Sequence, residues 1–195
     1  NESLSDTGVS ATIKRRNPEK KTVALRADID ALPIQEKNDC SYKSAVDGVM
    51  HACGHDAHTA MLLGTAKILN QMKDDFEGTI KLIFQPGEEK LPGGASIMIE
   101  KGVLKDVDLI IAQHVYPDLP CGEVGFHAGE FMASCDEINI TIKGKGGHAA
   151  KIKERDNTTV AAAKILCAIS ELSSEFNKEE RKNPDLIATS YSRKM

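Results

Sequence analysis

The sequence predicts an α/β fold, a sheet with helices packed on it. Three observations carry this. Short apolar runs suited to strands alternate with helix-periodic segments, as α/β architectures require. Polar residues collect where those runs end: Asp28 and Asp30, then Glu88 and Glu89, then His114. Finally, "MHACGHDAHT" at 50–59 holds three of the chain's six histidines, at what reads as the start of a helix.

Taken in order, "KRRNPEKK" (14–21) reads as a solvated hairpin or loop before the first strand. "KTVALRAD" (21–28) alternates Val23, Leu25 and Ala27 and reads as a strand entering the core. "ALPIQEKNDCSYKSAVDG" is polar and rich in turn residues, hence a loop. "DAHTAMLLGTAKILNQM" sets Met61, Thr65, Ile68 and Met72 on one helical stripe, with small Ala57, Ala60 and Gly64 beside it for close packing. "GTIKLIFQ" (78–85) suits a strand covered on both faces and stops at Pro86-Gly87. "GGASIMIEKG" reads as a short helix closed by Gly102, and "DVDLIIAQ" (106–113) as another buried strand. In open α/β sheets ligands bind beyond the C-terminal strand ends. Four separate stretches therefore converge on one rim.

Near residue 130 the pattern changes. Ile138, Ile140 and Ile142 alternate with polar residues, predicting a half-buried strand, and a Gly-rich loop carrying His148 follows. An amphipathic helix then runs through Val160, Ala163, Leu166, Ile169, Leu172 and Phe176. One strand and one helix do not close a domain. The expected division is 1–132, part of a catalytic domain, and 133–195, the beginning of a second, α+β domain.

Composition narrows the partners. The chain is 41% hydrophobic and 28% charged, ordinary for a globular protein, with net charge −4 and no dense basic run to favour nucleic acid. No apolar stretch approaches the ~20 residues of a membrane-spanning helix, and the N-terminus lacks a signal-peptide pattern. Five scattered cysteines without disulfide-framework spacing suit free thiols in a reducing cytoplasm. A start on Asn1 and an end at "YSRKM" suggest a fragment.

Cysteine thiolate, imidazole and carboxylate together form a ligand set for a metal of borderline softness. Cys53 and His55 are two residues apart, outside the Cys-x-x-Cys spacing of structural zinc modules. Read blandly, His51, His55 and His58 cap and pack a helix start. "FQPGEEK" supplies the counterweight. Adjacent glutamates on a loop are usually solvated charge, but at a buried strand's end one can bind metal while the other takes a proton from water.

"ALRADIDALPIQE", "GVMHACGHDAHTAMLLGTAKIL", "FQPGEE", "GGASIMIEKGVL", "AQHVYP" and "INITIKGKGGHAA" resemble, in order and spacing, the N-acyl-amino-acid amidohydrolases. These include hippurate hydrolase, auxin-conjugate hydrolases and N-acetyldiaminopimelate deacetylase, within the aminoacylase and glutamate carboxypeptidase superfamily. The resemblance covers about residues 20–175. It implies a zinc-peptidase-like catalytic domain with a central mixed sheet and flanking helices, and a ferredoxin-like inserted domain acting as lid and dimerisation surface. It further implies two divalent ions (zinc, manganese, cobalt or nickel) held by Cys53, His55, Glu89 and His114, with Glu88 as general base. Asp28 occupies the position of a ligand histidine in the wider superfamily, Asp30 supports the ligands from behind, and His58 is structural. His148 matches a lid histidine that reaches a substrate oxygen, often in the partner subunit's site.

The resemblance also implies missing parts: an N-terminal helical segment, and a C-terminal half carrying the last metal-binding histidine. The common Pro after "GGHAA" is replaced within "KIKERDN". The expected activity is metal-dependent hydrolysis of N-acyl amino acids in a cytoplasmic homodimer. Its rivals are a dipeptidase or carboxypeptidase of the same superfamily, a cysteine hydrolase using Cys53, and a non-catalytic fragment.

Overall fold

A computed structural model describes residues 2–3, 7–72, 74–126, 128–129, 132, 138–148, 150 and 156–180. The chain divides into two compact units, Asn1–Asp118 and Leu119–Met195.

The first unit is built on a five-stranded sheet. Its strands are β1 (Glu2–Ser3), β2 (Val9–Lys14), β3 (Thr22–Asp28), β4 (Thr79–Gln85) and β5 (Leu109–Ala112), in the order β1-β2-β4-β3-β5. β4 pairs antiparallel with β2 and parallel with β3, and β3 pairs parallel with β5. Helix α1 (His55–Gln71) links β3 to β4, and α2 (Gly94–Glu100) lies between β4 and β5. The α1 crossover thus leads to one side of β3, and the next connection crosses to its other side. The helices cover opposite faces. Leu62 of α1 packs with Ala27 and Leu82, whereas Met98 of α2 packs with Ala24 and Ile83; residues of opposite parity along a strand face opposite ways. The C-terminal end of β3, flanked by β4 and β5, is therefore a topological switch point, where α/β sheets bind ligands.

Several expectations need correction. β2 went unread, although Val9, Ala11 and Ile13 alternate with polar residues; Ala11 and Ile13 pack against the Leu82 cluster. The 14–21 segment is not a hairpin, because β4 lies between β2 and β3. Nor is it merely solvated. Arg15 Nη2 donates to Asn70 Oδ1 (2.9 Å) and Arg16 Nη2 to the Asp74 carbonyl (3.3 Å), placing cations at the C-terminal end of α1.

The buried stripe of α1 is His55, His58 and Leu62, with Ala66 packed beside them. The expected stripe lies one residue away: Met61, Ile68 and Met72 are exposed, and a Cβ added to Gly64 would meet nothing within 4 Å. The reason is chemical. Two histidines occupy the inward positions of the first turns, so counting apolar residues points to the neighbouring face. β5 was expected to be buried, yet Leu109, Ile110 and Ile111 are all about half-exposed, because β5 stands at the edge of the described sheet.

In the second unit, α3 (Thr158–Glu180) forms where expected, its first turn capped by Asn157 Oδ1 accepting the Val160 N–H (3.0 Å). Val160, Leu166, Ile169 and Leu172 are exposed. Over the strand expected at 138–142 the described residues show no regular element, and Ile138 and Ile140 are exposed. No helix among the described residues is long and apolar enough to cross a membrane.

Candidate metal centre

α1 begins abruptly because Gly54, its N-cap, takes a left-handed conformation (φ 81°) that a side chain would resist. A Cβ there would also stand 2.5 Å from Val115 Cγ2. The glycine thus delivers Cys53 and His55 to either side of a tight bend and lets the loop after β5 close over it. The Glu88–Glu89 turn is held similarly. Gly94 donates to the Gly87 carbonyl (2.9 Å), and a Cβ on Gly94 would collide with the Pro86 carbonyl oxygen.

His55 is almost wholly buried, and its Nδ1 lies 3.1 Å from Asp30 Oδ1 and 3.0 Å from the Asp30 carbonyl oxygen. With only acceptors around it, Nδ1 carries the proton. Nε2 is then a bare lone pair, and it has no hydrogen-bond partner although it is buried. A buried polar atom without a partner costs ~1–3 kcal/mol. A cation explains it. Nε2 lies 3.9 Å from Glu89 Oε1.

Ligand atoms of Cys53, His55 and His114 lie within 4.8 Å of one another, as do those of His55, Glu88 and Glu89. These two donor sets and a third, Asp28, His55 and His58, all share His55. His114 Nδ1 meets the Val115 carbonyl oxygen at 2.7 Å, which puts its proton there and turns Nε2 toward Cys53 Sγ, 3.4 Å away. The five residues expected to bind metal or move protons, Cys53, His55, Glu88, Glu89 and His114, thus come together at one strand-end rim. Imidazole, thiol and carboxylate at this spacing fit borderline divalent metals.

Electrostatics bear on the choice of chemistry. Burial, a hydrogen bond from the thiol to the Glu89 carboxylate and the charges of Glu89, Glu88 and Asp28 push the Cys53 thiol up to about 11. A nucleophilic cysteine needs the opposite, a depressed pKa. A thiol among carboxylates suits a ligand that loses its proton only to a cation. Asp30 behaves otherwise. Burial pushes its carboxyl up, but the backbone N–H groups of Glu89 and Glu88 and the nearby His55 outweigh this and hold it below the usual range. Its Oδ2 accepts the Glu89 N–H (3.0 Å), so one carboxylate orients both His55 and the glutamate turn.

Asp28 groups with His55 and His58 as a further candidate donor set, and two neighbours compete for its carboxylate. Oδ1 bonds to His58 Nδ1, and Oδ2 sits 2.8 Å from Arg26 Nη1. His58, read as structural, is buried, and its Nε2 accepts the Val115 N–H at 2.9 Å. Sequence reasoning missed Arg26, Gly54 and Val115; the left-handed glycine before a histidine was the one signal available. His148 lies in the second unit, an exposed side chain whose Nδ1 accepts the Ala150 N–H (3.2 Å).

Comparison with known proteins agrees with this chemistry. Residues 24–193 match the model of peptidase family M20/M25/M40. The chain is 48% identical over 163 residues to an N-acetylcysteine deacetylase of Bacillus subtilis, covering 84% of this chain and 42% of that protein. It is 44% identical over 170 residues to an N-acyl-L-amino acid amidohydrolase of Geobacillus stearothermophilus, covering 87% and 46%. A crystal structure of the Bacillus subtilis YXEP protein, described as a dinuclear metal binding peptidase of the M20 family, superposes with TM-score 0.56 at 53% identity, over 58% of this chain and 32% of that one. The chain therefore spans somewhat less than half the length of these curated relatives. With a family model matched over most of its length and a donor set at the switch point of its sheet, the chain belongs to peptidase family M20/M25/M40.

Proposed function

We propose that this chain carries the metal-binding core of an amidohydrolase that cleaves N-acyl amino acids to a carboxylic acid and a free amino acid. The observation that carries the reading is His55, whose Nε2 is buried without a hydrogen-bond partner and which belongs to all three candidate donor sets. Cys53, His55 and His114 would hold one divalent ion, and His55 with the Glu88–Glu89 turn stands beside the place for a second, Glu89 serving as ligand. The donor set suits zinc, manganese, cobalt or nickel. Bound divalent ions supply Lewis acidity, polarising an amide carbonyl and making a water easier to deprotonate.

The protein's own groups supply the rest. Asp30 fixes the His55 tautomer and the glutamate turn together. Glu88 takes the proton from the attacking water onto a carboxylate oxygen and returns it to the departing amine nitrogen. His148, by resemblance to the lid histidine of the amidohydrolases, donates to the substrate oxygen where negative charge develops. The same resemblance supports a catalytic part spanning 1–132, a lid part from 133 onward, and a homodimer formed through the lid. The described cysteines Cys40, Cys53, Cys121 and Cys167 are all free, which favours a reducing, cytoplasmic location.

Hydrolysis of an N-acetyl amino acid, followed with added manganese or zinc, tests the reading. Activity should need the metal, vanish with chelator and be lost in Glu88→Gln. Turnover that persists in excess chelator but disappears on alkylation of Cys53 would establish the cysteine-hydrolase reading instead.

A further inference from the structure

We infer that His58 is a positioning residue: a buried relay from Arg26 through Asp28 to His58 grips the backbone of Val115 and thereby aims His114. The inference rests on His114 belonging to the metal centre proposed above.

The relay begins at the end of β4, where Gln85 Oε1 accepts from Arg26 Nε (2.8 Å). Arg26 Nη1 reaches Asp28 Oδ2, and Asp28 Oδ1 accepts the proton of His58 Nδ1. That leaves His58 Nε2 as an acceptor, which the Val115 N–H fills at 2.9 Å. A polar chain thus links the ends of β4 and β3, the first turns of α1, and the loop that follows β5.

Hydrogen bonds join Asp28 to His58 and His58 to Val115, and an ion pair at 2.8 Å joins Arg26 to Asp28. Asp28 and His58 are essentially excluded from solvent, so water does not compete for them. Val115 is seized from three sides. Its N–H goes to His58, its Cγ2 packs on Gly54, and its carbonyl takes the His114 Nδ1 proton at 2.7 Å. The His58 and His114 rings meet edge-on, with centroids 4.5 Å apart. β5 is a four-residue edge strand, about half-exposed at Leu109, Ile110 and Ile111, and beyond it Gln113 reaches Met61 Sδ only through its side chain (3.0 Å), so the backbone at Val115 needs an anchor of its own. His58 supplies that anchorage. The position of a ligand's supporting group sets metal affinity by about 10–100-fold.

The relay also gives Asp28 a purpose where the wider superfamily carries a ligand histidine. Its Oδ1 holds His58 and its Oδ2 pairs with the Arg26 guanidinium, so the carboxylate serves the loop opposite through His58.

The test compares His58→Leu with His58→Gln, whose amide can still donate toward Asp28 and accept from Val115. Amide exchange at Val115, read without metal, should speed up at least about tenfold in His58→Leu. Cobalt binding, followed by the thiolate-to-cobalt absorption band, should weaken by ~10–100-fold. His58→Gln should recover most of both. Nitrogen chemical shifts of the unmodified chain give a measure independent of variant folding: His58 should be protonated at Nδ1 and bare at Nε2. The opposite tautomer, or a folded His58→Leu with parental exchange and cobalt affinity within twofold, overturns the relay. An unmodified chain that binds no cobalt would contradict the metal centre; the metal-free exchange and tautomer would still decide whether His58 holds Val115.

Discussion

His55 Nδ1 stands 3.1 Å from Asp30 Oδ1, and the other oxygen of the same carboxylate accepts the Glu89 N–H at 3.0 Å. A single side chain at the end of β3 thus sets the tautomer of one candidate ligand and the position of another. Asp30→Ala should lower metal affinity by ~10–100-fold while leaving the fold intact. Competition with a chromophoric chelator measures it, and affinity within twofold of the parent would remove Asp30 from the site.

Glu88→Gln keeps the shape of the turn and removes only the proton acceptor. Metal content should stay unchanged and hydrolysis of an N-acetyl amino acid should fall by ~10²–10⁴-fold. A variant that instead loses metal would make Glu88 a ligand.

Metal uptake should release the Cys53 proton, because burial and the neighbouring carboxylates push the thiol up to about 11. The proton must leave for the thiolate to bind, so apparent affinity should climb ~10-fold per pH unit across about pH 7.5 to 9, above the ordinary titration of histidine. Cys53→Ser should flatten that slope and weaken binding, with activity partly restored by excess metal. An unchanged slope would place the cysteine outside the site.

Acid stability should depend on Asp28. Burial pushes its carboxyl up, but the hydrogen bond with His58 and the charges of Arg26, His55 and His58 outweigh this and hold it below the ordinary value of 3.8. A depressed folded value means the contribution is complete above 3.8 and lost as pH falls through the lower folded value. Asp28→Asn should therefore cost ~1–3 kcal/mol near neutrality, by weakening a buried charged hydrogen bond, and the difference should shrink in strong acid. Urea unfolding at both ends of that range gives the comparison.

The strands β3 and β4 and the helices α1 and α2 were legible because each carries a strong period and a clear stop, such as Pro86-Gly87 after β4. The site was legible because polar residues at apolar strand ends have few other reasons to be there. What escaped notice depends on contacts across the chain. The inward face of α1 is set by His55 and His58, which find Asp30 and Asp28 as partners 25 and 30 residues away. Hydrophobic counting instead drew the stripe through Met61, Thr65, Ile68 and Met72. Alternation at 138–142 suggested a strand where the described residues show no regular element, because local pattern alone does not specify pairing.

The central claim is that Cys53 and His55 share a metal with His114. X-ray absorption at the zinc edge, on the chain loaded with one equivalent of zinc, tests it most directly. The account predicts one sulfur at ~2.3 Å and nitrogen scatterers at ~2.0–2.1 Å, with the sulfur lost in Cys53→Ser. A first shell of nitrogen and oxygen alone in the unmodified chain would contradict it.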